Sequence, residues 1–299
     1  MKISECLNFL GNLEIKYDGE FETFGLIDTK IGKKVISFIE DGKYIDKISS
    51  DISCLFIRKE MLDYFSFEGF GIIICDNPKY EFYKLHNKLC DSNFDYKRMI
   101  YSTIIDDDCI ISDKSIISNN NVTIGKNVVI EENVIIRENV KIGDNSIIRA
   151  GSIIGGEGFL FNKANNKGIF PGKHAGGVII GNNVEIQYNC CIDRAIFPWD
   201  NTIIDDFTKI DNLVHIGHSA KIGKRCLFPA NSRIGGYTVI GDDNWIGLGA
   251  TVSNNLVIGN ETRVSIGSVV TKNVDDGKKV SGNFAIDHSK FLDFIRKIR

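Results

Sequence analysis

From Ile204 onward every sixth residue is apolar: Ile204, Ile210, Ile216, Ile222, Phe228, Ile234, Ile240, Ile246, Val252, Ile258, Val264 and Val270. Helices repeat at about 3.6 residues and strands at about 2, so this period belongs to neither. It describes a coil with six residues per side, one of which points inward. Two places before the next inward residue stands a small one, as at Thr208, Val214, Ala220, Cys226, Ser232, Thr238, Ala250, Thr262 and Ser268. Glycine follows the inward residue at Gly217, Gly223, Gly241 and Gly259, which suggests strained corners that glycine tolerates best. Three such sides close one coil of about 18 residues, and coils stack at roughly 4.8 Å. The same pattern runs through Ile124, Ile130, Ile136, Ile142, Ile148 and Ile154, and again through Ile180, Ile186 and Ile192. Composition agrees: 48 isoleucines and 29 glycines against 4 prolines suit many short buried strands joined by tight turns.

The repeat breaks twice. Ile154 and Ile180 are 26 positions apart, and the segment between them, GGEGFLFNKANNKGIFPGKHAGG, cannot be regular coil. Loops of this length are often functional. At residues 196–201 the sequence IFPWDN brings in Pro198 and Trp199, read as a short corner excursion. If it keeps register, Asp193 and Asp211 stack on one face. Residues 1–100 differ in kind. VISFI, CLFIRK and FGIIICD read as buried strands, and KYEFYKLHNKLCD carries helical spacing at Phe82, Leu85 and Leu89. The expected architecture is mainly β: a small α/β domain over 1–100, a parallel coil over 101–285, and a short amphipathic helix over 286–299. On that helix Phe291, Phe294 or Ile295, and Ile298 share a face.

Lysine and arginine total 36 against 39 aspartates and glutamates, a net charge of −3, which argues against a generally basic nucleic-acid binder. No run reaches the ~18 apolar residues of a membrane span, and the N-terminus lacks a signal-peptide core, so a cytoplasmic protein without membrane insertion is expected. The eight cysteines form no C-x-x-C pair and read as reduced thiols.

Five stretches together resemble the LpxD family of UDP-3-O-acylglucosamine N-acyltransferases. They are ISFIEDGKY (36–44), CDNPKYEFYKL (75–85), GGEGFLF (155–161), IDRA with KIDNLVHIGHSAKIG (192–195 and 209–223), and GSVVTKNV with VSGNFA (267–285). The resemblance implies a left-handed hexapeptide-repeat β-helix, a homotrimer, and acyl transfer to a sugar amine in a cleft between subunits. It also implies that Phe38, Asp41 and Tyr44 hold the nucleotide base, and that His218 is the base of the reaction. Three features depart from the family. Asp41 stands where the family has Asn, Asn254 and Asn255 stand where it has a second His, and the C-terminal helical extension is short. These departures suit a relative that acylates a nucleotide-linked aminodeoxy sugar, such as a dTDP-4-amino-4,6-dideoxy sugar, from acyl-CoA, as anthrose-pathway N-acyltransferases do. The alternative is the lipid A enzyme itself, served by acyl carrier protein. No permanently bound cofactor is expected, acyl-CoA being a co-substrate.

Amide formation from a thioester needs a proton acceptor for the amine and donors for the oxyanion. Of five histidines, only His215 and His218 lie in regular coil. Spacing alone leaves His218 as a solvated corner residue or a base. One coil later stands Gly236, where a bare backbone could admit ligand and offer an N–H to the oxyanion. Asp211, seven residues before His218, and Asp193 could hold an ammonium or orient an imidazole. Asn212, His215, Asn254 and Asn255 are further substrate-binding candidates, and Phe159 and Phe161 could cover the sugar or nucleotide. A trimeric zinc hydratase on the same coil would need three histidines around one metal, and only two lie near each other, so no metal site is expected.

Overall fold

A computed structural model describes residues 1–11, 13–64, 69–92, 96, 98–163, 168–282 and 287–298. The chain divides into two compact units. One comprises 1–100 with 157–177 and 194–201; the other comprises 101–156, 178–193 and 202–299. The contiguous span 101–285 expected for the coil is therefore interrupted: both breaks in the repeat leave the coil and join the first unit.

The first unit is built on a five-stranded sheet of β1 (Glu14–Tyr17), β2 (Thr23–Phe24), β3 (Val35–Phe38), β4 (Ile52–Ile57) and β5 (Gly71–Ile74), ordered β1-β5-β4-β3-β2. Only β1 with β5 is antiparallel. A short helix α1 (Leu7–Leu10) precedes it, and α2 (Pro78–Asp91) follows β5. The sequence gives α2 a defined start, because Pro78 opens it and the Asn77 side chain accepts from Tyr80 N at 3.1 Å. Its inner face buries Phe82, Tyr83, Leu85, His86 and Leu89. The Phe82 ring lies 5.1 Å from Phe24, 5.0 Å from Phe38 and 6.1 Å from Phe197.

The last of these contacts shows what IFPWDN does. It is no mere corner: Trp199 Nε1 donates to Phe24 O at 2.8 Å, and the Arg98 guanidinium donates to Pro198 O and Asp200 O at 2.8 and 2.7 Å. The long loop forms an antiparallel hairpin, Phe161–Lys163 with Ile169–Pro171. It is tied to α2 by Asn87, which donates to Pro171 O and accepts from Lys173 N. His86, fully buried, completes this tie. Its Nε2 faces Lys173 O at 3.0 Å, a pairing that only a protonated nitrogen can make, so Nδ1 accepts from Tyr96 Oη at 2.6 Å. Burial pulls its pKa down to about 4.

In the second unit the chain winds through three parallel sheets of nine, eight and eight strands, each strand pairing with those one coil above and below. Most strands are two residues long, the first outward and the second inward. All twelve six-spaced residues from Ile204 to Val270 are at most 6% exposed, and the small residues two places before them fill the remaining interior. Hydroxyls among these bond the next coil, as Thr208 Oγ1 to Gly223 O and Thr238 Oγ1 to Ser253 O, both 2.9 Å.

The corners correct one expectation. Glycines such as Gly217, Gly235 and Gly241 do not adopt left-handed backbone. A Cβ would meet backbone of the next coil at 2.7 Å on Gly217, 2.4 Å on Gly235 and 3.0 Å on Gly241, so their role is close stacking. The left-handed position lies two residues later, mostly at Asn, but at Phe207, Leu213, Ser219, Arg225 and Tyr237 in the middle coils. The coil is followed by α3 (His288–Ile298), where Leu292 and Phe294 are exposed. Residues 283–285 of the VSGNFA stretch, the following residue 286, and the side chains of Phe291 and Ile298 lie outside the described residues.

Candidate active site

His218 sits at the corner that follows the strand His215–Ile216 and is half-buried. The space above Gly236 that the sequence assigned to ligand is taken by the His218 ring itself. A Cβ at 236 would lie 2.6 Å from Cε1, 2.8 Å from Nε2 and 3.0 Å from Nδ1. Gly236 is thus the floor on which the imidazole rests, and its carbonyl accepts from Asn255 N at 3.0 Å. Tyr237, which sequence reasoning passed over, holds the ring from the side: centroids 5.2 Å apart, planes at 84°. It occupies a left-handed corner with φ of 59°, an uncommon place for a bulky residue. The coil arithmetic that picked out Gly236 would have found it one residue further on.

Asp193 and Asp211 do not stack. The excursion at 194–201 adds six residues to one coil, so Cys191 pairs with His215 (215 − 191 = 24) whereas His215 pairs with Arg233 (233 − 215 = 18). Asp193 therefore ends a strand of the sheet that carries His215, while Asp211 follows Lys209–Ile210 in the nine-stranded sheet. Asp211 spends its oxygens on its own corner, accepting from Asn212 N at 2.7 Å and Ala230 N at 3.0 Å. Asn212 in turn accepts from Tyr188 N at 3.1 Å. Both peg coils together at a different corner from His218.

What the structure brings together instead is Asp193 and His215: Oδ2 and Nε2 are 3.7 Å apart. Asp193 is 8% exposed, and burial raises its pKa to about 7. Burial, then the Arg233 charge, lowers that of His215. Asn254 is exposed two coils beyond His218 in the same corner column, and Asn255 takes the left-handed position there with φ of 58°.

The raised pKa of Asp193 makes a stability prediction. A carboxyl with a folded pKa of about 7 against an unfolded value near 3.9 stabilises the fold fully below about pH 4, and the gain is lost as pH rises through 7. The loss amounts to at most about 4 kcal/mol, partly offset by His215. Asp193→Asn should raise Tm at pH 8 and leave it nearly unchanged at pH 4; equal shifts at both pH values would refute the assignment.

In the first unit, Phe38 is half-buried against α2. Asp41 turns to its own helical turn, accepting from Lys43 N at 3.1 Å and pairing with Lys43 Nζ at 2.8 Å, which holds its carboxyl below the usual range. Tyr44 is exposed, with Lys43 and Lys47 ammonium groups 4.9 and 5.6 Å from its ring. Phe159 and Phe161 are both exposed and pack edge-on against each other at 4.9 Å. Among the described residues no group of three His, Cys, Asp or Glu could hold a metal, and no helix is long and apolar enough to cross a membrane.

Residues 121–156 match the family model "Bacterial transferase hexapeptide (six repeats)". The chain is 48% identical over 92 residues to UDP-3-O-acylglucosamine N-acyltransferase 2 of Legionella pneumophila (31% of this chain, 26% of that protein). It is 34% identical over 147 residues to UDP-3-O-acylglucosamine N-acyltransferase of Campylobacter lari (49% of this chain, 45% of that protein). These matches span from about a quarter to less than half of the curated relatives' length. Among solved structures, the UDP-N-acetylglucosamine acyltransferase from Campylobacter jejuni superposes with a TM-score of 0.51 at 20% identity, covering 66% of this chain and 81% of that one. The structural likeness gives the second unit the left-handed parallel β-helix fold, and residues 121–156 within it match hexapeptide-transferase repeats.

Proposed function

We propose that the protein is an N-acyltransferase that moves an acyl group from a thioester to the amine of a UDP-linked glucosamine bearing a 3-O-acyl chain. The observation that carries this reading is the half-buried His218 imidazole, laid on Gly236 and braced by Tyr237, within the stretch that resembles the LpxD family. The departures at Asp41, Asn254 and Asn255 favour a dTDP-amino sugar and free acyl-CoA, but the names of the relatives support the 3-O-acylated UDP-glucosamine better. Asp41 weighs little, because its carboxylate is engaged by Lys43. Acyl-CoA and acyl carrier protein are both thioester donors that this site could use, and the chain is expected to work as a homotrimer. In the mechanism, neutral His218 takes the amine proton as nitrogen attacks the thioester carbon, then passes it to the departing sulfur.

The deciding assay offers UDP-3-O-acylglucosamine and a dTDP-4-amino sugar, each with acyl carrier protein and CoA thioesters. Amide formed only on the dTDP sugar would overturn the acceptor assignment; no amide on either would overturn the enzyme class. Tyr44 is the exposed aromatic of the proposed base site. Stacking on a base is worth roughly 1–3 kcal/mol, so Tyr44→Ala should raise KM for the nucleotide sugar about 5- to 150-fold with kcat little changed. An unchanged KM would place the nucleotide elsewhere.

A further inference from the structure

The reaction proposed above, on which this inference rests, has a proton balance that one imidazole does not close. The acceptor amine is an ammonium below its pKa, which for an amine beside oxygen-bearing carbons lies, like an α-amino group, at about 8. The overall change is R–NH₃⁺ + R′CO–SR″ → R–NH–COR′ + R″SH + H⁺. One N–H proton ends on sulfur, and His218 carries it. The other must leave before attack, while His218 still has to be neutral.

The coil holds a second acceptor. Asp193 closes the strand Cys191–Asp193, and its carboxylate is buried. His215, on the adjacent strand, brings Nε2 to 3.7 Å from Oδ2 while its side chain remains 46% exposed. Ile192 pairs with Ile216, so Asp193 lies one residue further, alongside Gly217, the residue that precedes His218. The pair is therefore next to the proposed base and open to solvent at its outer end.

The groups around it leave it able to take a proton. Cys191, on the same strand, is a thiol whose pKa is raised first by burial and then by Asp193. Arg233 faces His215 from the strand above and favours its neutral form. On the strand below, Ile153 faces Cys191 and Gly156 faces Asp193, neither charged. Arg194, next in the chain, pairs with Glu157 at 3.5 Å.

We infer that Asp193 and His215 form a proton-sharing pair that takes the first proton from the acceptor's ammonium, leaving His218 for the second. The ammonium N–H breaks as an Asp193 O–H forms, and His215 relays that proton to water.

The test is the pH profile of kcat/KM for wild type, Asp193→Asn, His215→Gln and His218→Ala. Without the pair, only amine that arrives neutral reacts, about 1% of it two units below its pKa. Asp193→Asn and His215→Gln should therefore match wild type within about threefold at pH 9 and fall about 10²-fold on going to pH 6, with wild type falling at least tenfold less. An acceptor carrying an N-alkoxyamine, neutral at pH 6, should abolish the difference. His218→Ala should lose activity with either acceptor, the alkoxyamine included, because the second proton still has to be carried to sulfur. Profiles of the two pair variants parallel to wild type, whether unchanged or uniformly lowered, would overturn the proposal. So would a defect that persists with the alkoxyamine, since that marks a structural role. A wild-type protein that acylates no amine would instead overturn the functional reading itself.

Discussion

His218→Ala should lower kcat by about 10²–10⁴-fold with little change in KM, the usual worth of general-base catalysis. The variant should fold normally, because the imidazole lies at a half-exposed corner outside the coil interior. Gly236→Ala tests the same site from beneath. The added Cβ would sit 2.6–3.0 Å from three ring atoms of His218, so the ring must leave its seat or turn. Displacement by about 1 Å can cost about 10² in rate. Gly236→Ala should therefore lose roughly that factor in kcat. Near-normal kcat in both variants would remove His218 from the chemistry while leaving the acyltransferase reading standing. Full loss at Gly236 with none at His218 would point to the backbone N–H of residue 236 as the working group.

Phe228→Ala should destabilise the coil by about 3–5 kcal/mol. Phe228 is the one aromatic among the twelve six-spaced inward residues and is 1% exposed. In register it stacks on Ile210, and its neighbour Leu227 pairs with Trp245 in the coil above. The coil interior is one continuous apolar cluster, so removing a benzyl group leaves a void that two-residue strands pinned by ladder bonds cannot close. Coils touch only their neighbours, so the loss should concentrate locally. Hydrogen exchange should rise first around residues 209–246, with a Tm drop of several degrees. Val239→Ala, outward and 42% exposed, is the control and should change stability by less than about 0.5 kcal/mol. Equal effects at 228 and 239 would mean that inward packing does not hold the coil.

The sequence by itself determined the coil. Its period, its inward residues and the small residues beside them are properties of one turn repeated, so a one-dimensional pattern reports them faithfully. Strands β3 to β5 and α2 were legible for a similar reason, as apolar runs and as the helical spacing of Phe82, Leu85 and Leu89. The edge strands β1 and β2 were not, because neither carries a buried run long enough to show. The candidate base was legible only through its likeness to a family, since a corner histidine has no signature in spacing. Tertiary structure decided the rest. Whether Asp193 meets Asp211 or His215 depends on how many residues each coil consumes, and IFPWDN adds six to one coil by leaving it to join the first unit. The glycines look alike in sequence, yet Gly217 makes room for the next coil's backbone and Gly236 for an imidazole. Tyr237 beside His218 is likewise a contact between successive coils. Such contacts are set by register between distant segments, and although both breaks show in the sequence, the local pattern does not say by how many residues each one shifts that register.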